Sequence, residues 1–179
     1  LNTPVITNVS CFGGSDGVIA AQPSGGIAPY NFTWSPGGYT TDTITGLSAG
    51  TYNITLSDAN SCSVTDAYQV TEPAAALAFS NITVVDLLCN GASTGSISVT
   101  VTGGTSPYTY GWSQNANLNN PVASSLAAGI YTVTVIDNHN CTVSSTDTVH
   151  QPTPITFGAP IITNVSCNGG SNGSITVTP

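Results

Sequence analysis

The 179 residues include no Lys and no Arg, only eight carboxylates (seven Asp and Glu72) and two His, for a net charge of −8. Charged residues make up 4% of the chain, where a globular protein carries roughly 25%. Without cations the chain can neither neutralise nucleic-acid phosphates nor dock electrostatically on anionic lipid, and no run reaches the ~20 apolar residues of a membrane helix.

The hydrophobic fraction of 40% is near normal. Cores can therefore form, with Ser, Thr and Asn solvating the surface. The length is comfortable for about two small domains. No N-terminal signal pattern is present, so the chain is expected to be either intracellular or a piece of a processed or longer product.

Taken in chain order, the first element is a loop. Residues 8–17 read NVSCFGGSDG, and the ten residues from Asn164 read NVSCNGGSNG. Cys89, in LLCNGASTG, stands midway between Cys11 and Cys167. So regular a spacing means an internal repeat of about 78 residues. The strand predicted after the first loop contains Ala20, Ala21 and Pro23, where its counterpart has Ser98, Val99, Thr100 and Val101, which leaves its register open. Gly25-Gly26 then opens a turn, followed by Pro29-Tyr30 and Trp34 in APYNFTW and by Pro36-Gly37-Gly38. Tyr52, Ile54 and Leu56 alternate with polar residues and predict a strand that runs toward Cys62.

Glu72-Pro73 through Ala78 is a short proline-bound junction, and its alanines are too few to nucleate a helix. The second unit repeats the first. Ile97, Val99 and Val101 predict a strand; Gly103-Gly104, Pro107-Tyr108 and Trp112 follow, and Tyr131, Val133 and Val135 lead to Cys141. Gln151-Pro152 through Pro160 forms the next junction, and the segment from Pro160 repeats Pro4 onward, to what should be a second strand.

The reading is an all-β chain of tandem immunoglobulin-like antiparallel β-sandwich repeats, with six or seven short strands per unit. The boundaries fall at 1–73 and 74–152, with a truncated third repeat over 153–179. The stiff junctions should make a semi-rigid rod. The truncated unit leaves unpaired edges, so the chain is expected to continue past Pro179 or to be completed by strands of another copy.

The five cysteines fit no metal spacing. In an oxidising setting Cys11 pairs with Cys62 and Cys89 with Cys141, leaving Cys167 unpaired; five free buried thiols are the alternative. Trp34 and Trp112 are read as core rather than as sugar-stacking plates, and so are Tyr52 and Tyr131. Asp58-x-Asn60 and Asp137-Asn138-x-Asn140 offer oxygens to Ca²⁺, yet each loop has one carboxylate, and such residues also simply make turns. No metal and no cofactor is expected. His139 and His150 lack partners at catalytic spacing, and there is no GxSxG, no HExxH and no Arg clamp, so the chain reads as non-catalytic. Lys–Asn isopeptide bonds are closed to a chain without Lys.

Cys-x-Gly-x-x-x-Gly, then Gly-Gly-x-x-Pro-Tyr-x-x-x-Trp, then Ala-Gly-x-Tyr and Asp-x-x-x-Cys with a closing Glu/Gln-Pro, resembles the SprB repeat across nearly the whole chain. The motif residues are Cys11, Gly13, Gly17, Pro29, Tyr30, Trp34, Gly50, Tyr52, Asp58, Cys62 and Pro73, with the same set in the second unit. That resemblance implies a segment of a large extracellular, cell-surface adhesin or filament of gliding and related Bacteroidetes. Neighbouring repeats of the same or another copy would be its partners, with surface glycans as a further class. A glycan-binding module of a secreted protein is the alternative function, and an accessory domain of a secreted hydrolase is a third. The resemblance also brings an O-glycosylation pattern, Asp-Thr/Ser-apolar, which fits Thr43 and Thr148; of seven N-x-S/T triplets, several arise by chance in so Ser/Thr-rich a chain.

Overall fold

The computed structural model describes residues 1–114 and 118–178. All fourteen elements are strands: β1 Asn2–Thr7, β2 Gly17–Gln22, β3 Asn31–Ser35, β4 Thr43–Leu47, β5 Gly50–Ser57, β6 Ser63–Val70, β7 Ala78–Val85, β8 Gly95–Thr102, β9 Thr109–Trp112, β10 Val122–Leu126, β11 Gly129–Ile136, β12 Thr142–Val149, β13 Ile161–Thr163 and β14 Ser174–Thr176. No helix occurs among the described residues.

The pairings repeat. In the first unit the sheets run β1-β2-β4 and β3-β5-β6; in the second they run β7-β8-β10 and β9-β11-β12, all antiparallel. This is the A-B-E and C-F-G arrangement of an immunoglobulin sandwich without its D strand. The chain crosses between sheets at the same points in both units. The fold is a tandem of immunoglobulin-like β-sandwiches.

Alternation along the strands explains why two layers form. On β2 the buried positions are Gly17, Ile19 and Ala21, and on β8 they are Gly95, Ile97 and Val99. The same face is therefore inward in both, which answers the open register of β2; Pro23 simply follows a shorter strand, because proline cannot donate to the ladder. On β5 and β11 the buried residues are Tyr52, Ile54 and Leu56, and Tyr131, Val133 and Val135. A period of two with one apolar face has to find a second sheet to cover it.

Each sandwich closes on its own core. The first gathers Val9, Ile19, Trp34, Ile44, Leu47, Tyr52, Ile54, Tyr68 and Val70. The second gathers Leu87, Ile97, Val99, Trp112, Ala123, Tyr131, Val133, Val135 and Val149. Trp34 on β3 sits opposite Ile54, and Trp112 on β9 opposite Val133. Their indole nitrogens donate to the Thr41 and Asn120 carbonyls, both at 2.9 Å. Tyr52 and Tyr131 donate back to Ser48 and Ala127, at 3.1 and 3.0 Å, tying the start of β5 and β11 to the preceding turn in the manner of a tyrosine corner.

The last segment builds no such core. β13 pairs only with β14, and every described residue from 151 to 178 is exposed. Val165 and Ile175 correspond to Val9 and Ile19, which are 2% and 0% exposed in the first unit, yet stand at 50% and 70% here. Two strands offer one apolar face and nothing to lay against it.

Core truncation should therefore be costly and equal in the two units. Ile19→Ala and Ile97→Ala are each expected to cost about 3 kcal/mol, whereas Ile130→Ala, at an exposed position, should stay within about 0.5 kcal/mol. Urea unfolding of the three variants checks this. Equal losses at all three positions would contradict the core assignment.

Candidate functional site

The chemistry-bearing residues of this chain lie mainly in loops at the ends of the units, and one set of them meets where the first unit joins the second. Two kinds of loop take part. The first kind joins the opening two strands of a unit and carries Cys11, Cys89 or Cys167. The second joins β5 to β6 or β11 to β12 and carries Cys62 or Cys141.

The Cys11 loop folds against the end of its own unit. Val9 N–H donates to the Thr71 carbonyl at 2.9 Å, Thr71 N–H to Asn8 Oδ1 at 2.9 Å, and Gly13 N–H to the Glu72 carboxylate. Inside the loop, Ser10 N–H donates to Asp16 Oδ1 at 3.0 Å. Bonds from the Ser10 side chain and backbone hold the Asp16 carboxyl below its ordinary pKa. The loop thus sits at the exit of the unit, beside the junction that follows Pro73.

The Cys141 loop lies at the entry of the second unit. Its organiser is Asp137, buried at 4% exposure. Asp137 Oδ1 accepts from His139 N–H (2.8 Å) and Cys141 N–H (2.9 Å), while Oδ2 accepts from Thr105 N–H (2.8 Å). Burial pushes its pKa up, but the bonds from Thr105, Cys141 and His139 outweigh burial, and the carboxyl stays below its ordinary value. Asp58 does the same in the first unit: the Ile27, Cys62 and Asn60 amides hold its pKa down. These carboxylates are spent on backbone amides, so their work is to shape loops.

The junction threads between the two loops. Gly104 N–H donates to the Ala75 carbonyl at 2.9 Å. Gly103 and Gly104 have φ of +69° and +61°. A Cβ on Gly103 would run into the Ala76 carbonyl oxygen, and one on Gly104 would crowd Leu77 and Asp137. Glycine is required here both for the backbone angle and for the close approach.

Across this joint Cys11 is disulfide-bonded to Cys141, with Cα atoms 5.8 Å apart. His139 Nδ1 lies 3.2 Å from the Ser10 carbonyl oxygen beside it. The expected pairing of Cys11 with Cys62 and of Cys89 with Cys141 does not occur: Cys62, Cys89 and Cys167 are free and exposed. The physical reason is strand length. Cys62 precedes β6 and the Cys11 loop is fastened just beyond its other end, so eight residues of extended chain, ~26 Å, separate them. A disulfide tolerates Cα atoms about 4.4–6.8 Å apart. Cysteines at opposite ends of one sandwich cannot meet, whereas the exit of one unit and the entry of the next can.

The remaining candidates lie elsewhere. Trp34 and Trp112 are 1% and 3% exposed and Tyr52 and Tyr131 both 8%, all inside the two cores. Thr43 on β4 and Thr148 on β12 are exposed and on different sheets of their units. His150 donates its backbone N–H to Asp86 at the exit of the second unit. Among the described residues no group of three or more His, Cys, Asp or Glu is placed to hold a metal ion. The importance of Ser10, Ala75, Ala76 and Gly104 escapes a reading of single motifs. The signal that could have found them is the recurrence of Gly-Gly at the entry of each unit.

Two tests follow from the joint. Unfolding without reduction should expose three alkylatable thiols per chain, and chymotryptic digestion should release a Cys11–Cys141 linked peptide; a single thiol would restore the pairing within units. The second concerns pH. Because Asp58 and Asp137 hold their protons less tightly when folded, the stability they confer is complete above the unfolded carboxyl pKa of ~3.9 and is lost as pH falls through the lower folded values. The thermal midpoint should be flat from pH 7 to about 5 and drop below about 4. Asp137→Asn should lower it at pH 7 and make the acid limb shallower, and an unchanged midpoint at pH 7 would contradict the role given to Asp137.

The SprB repeat model matches residues 3–38, 81–117 and 159–179, together just over half of the chain. No curated protein matches it. Among solved structures, the chain is similar to the C-terminal 282-residue fragment of intimin in complex with the intimin-binding domain of the translocated intimin receptor, at 16% identity and a TM-score of 0.41, over 81% of this chain and 64% of that one. The chain thus spans less than two thirds of that fragment. It is also similar to the amphioxus IgVJ-C2 molecule, at 15% identity and a TM-score of 0.33, over 76% of this chain and 96% of that one. With the three matches spaced as the cysteine loops are, this chain belongs to the SprB repeat family.

Proposed function

We propose that this chain is a structural, non-catalytic length of an extracellular surface filament or adhesin stalk, built of units over 1–73 and 74–152 with the first strands of a third over 153–179. The observation that carries this reading is the joint. A covalent bond between the exit of one unit and the entry of the next, with the junction packed under it, holds successive sandwiches end to end. Such a joint transmits tension and sets a reach, which are the properties a stalk needs. A disulfide also suits an oxidising compartment outside the cytosol. The absence of Lys and Arg leaves trypsin-like proteases nothing to cut.

The glycan-binding alternative asks for exposed aromatic plates. Both tryptophans are buried with their indole N–H bonded inward, so they offer no face to a sugar. Weak contacts by many units would instead add through avidity.

Small-angle scattering tests the mechanical part. The radius of gyration should lie well above the ~16 Å of a compact 179-residue globule, and reduction should broaden the distribution of lengths by freeing the joint. A compact particle, or one indifferent to reduction, would sink the stalk reading. Display outside the cell is checked on intact cells that make the parent protein: external chymotrypsin should strip the antibody signal, and trypsin should spare these repeats.

A further inference from the structure

The Cys11–Cys141 bond decides which parts of the chain bear a pull. The two cysteines lie 130 residues apart in sequence, so residues 12–140 form a closed covalent loop. That loop holds β2 to β11 and nearly all of both cores. In the two sandwiches only β1 and β12 lie outside it, and each is an edge strand of its sheet.

Both strands already run the length of their sandwich. β1 starts at Asn2, opposite Gln22 and close in sequence to the Gly25-Gly26 turn at the entry. It ends at Thr7, opposite Val18, where the chain turns into the Cys11 loop at the exit. β12 starts at Thr142, next to Cys141 at the entry of the second unit. It ends at Val149, beside the exit where the His150 carbonyl accepts from Leu87 N–H at 2.9 Å. Taken together, β1, the short Cys11 loop, the disulfide and β12 make one covalent line through two units. Chain that is already extended has almost no length left to give. β1 is also poorly held by its neighbour: Pro4 has no N–H to donate, and the pairing with β2 slips between Asn2 and Val5. A ladder so interrupted is ill suited to carry load, and in a covalent line it need carry none.

We infer that the disulfide is a force bypass. Tension along the chain runs through residues 1–11, the Cys11–Cys141 bond and residues 141–152, and the two sandwiches hang beside this line unstretched. A unit can then lose hydrogen bonds without the pair growing longer, because covalent bonds fix the length. Reduction removes the bypass, puts β2 to β11 back into the path of the pull, and releases up to about 450 Å of chain. The joint is thereby a redox-set limit on extension. The inference rests on the stalk reading for the presence of a pull. The load path itself follows from where the bond sits, so its failure would leave the scattering and cell-surface tests of that reading as they stand.

The experiment is single-molecule stretching of the purified full chain, held by peptide tags at its two termini so that no cysteine is used for attachment. Before reduction only the coreless segment after Pro152 should extend, by about 90 Å and at low force. Dithiothreitol then gives two electrons and two protons to the Cys11–Cys141 bond and leaves as a cyclic disulfide. Two further steps should appear, one per sandwich, together gaining about 450 Å. Cys141→Ser should show the same two steps without reductant, and Cys62→Ser should behave as the unsubstituted chain. The proposal is overturned by sandwich-sized steps in the unreduced, unsubstituted chain, by no gain in length after reduction, or by a Cys141→Ser chain that extends no further than the unsubstituted one.

Discussion

Three backbone N–H groups converge on the Asp137 carboxylate, and the joint between the two sandwiches depends on that convergence. The amides come from two loops, at Thr105 and at His139 and Cys141, so one side chain fixes both loops at the entry of the unit. With the loops fixed, Gly104 faces the Ala75 carbonyl and Cys141 faces Cys11. In a chain without Lys or Arg this is the natural device. A carboxylate has no Lys or Arg to pair with, but a charge-assisted bond from a backbone amide is about twice as strong as a neutral one and demands no second charge.

The same shortage of charge shapes everything else. The sandwiches hold together by alternation alone, with Ile19 and Ile97 fully enclosed and the Trp34 and Trp112 rings filling the space between sheets. Paired hydroxyls such as Thr132 with Thr146 and Thr134 with Ser144 decorate the outer face of β11 and β12, where other sheets place ion pairs. Such a surface is polar without being strongly charged, and is cheap to desolvate compared with a charged one.

Membership of the SprB repeat family and the joint speak to one another. Family motifs that look like separate turn signals, the Cys-x-Gly loop, the Gly-Gly turn and the Asp-x-x-x-Cys loop, come together at one place only when two units are considered. Within a single unit the first motif is at the exit and the other two are at the entry. The joint is thus a property of two neighbouring units rather than of the single repeat.

The sequence by itself determined the period, the all-β class and the inward faces of β5, β8 and β11, because a two-residue alternation of apolar side chains has one physical solution. It also pointed to the aromatic positions, since a bulky ring recurring at one place in each unit has to be packed alike each time. It could not determine which cysteines meet. Equal spacing makes Cys11–Cys62 and Cys11–Cys141 equally regular along the chain, and only the direction and length of β6 put the first pair at opposite ends of a sandwich. Nor could it say that Gly103 and Gly104 form a seat for Ala75–Leu77, because close approach of two backbones leaves no mark on residue type beyond the glycine itself. The tertiary structure decided both. A strand carries its two ends far apart, and a junction of a few residues brings the exit of one unit against the entry of the next.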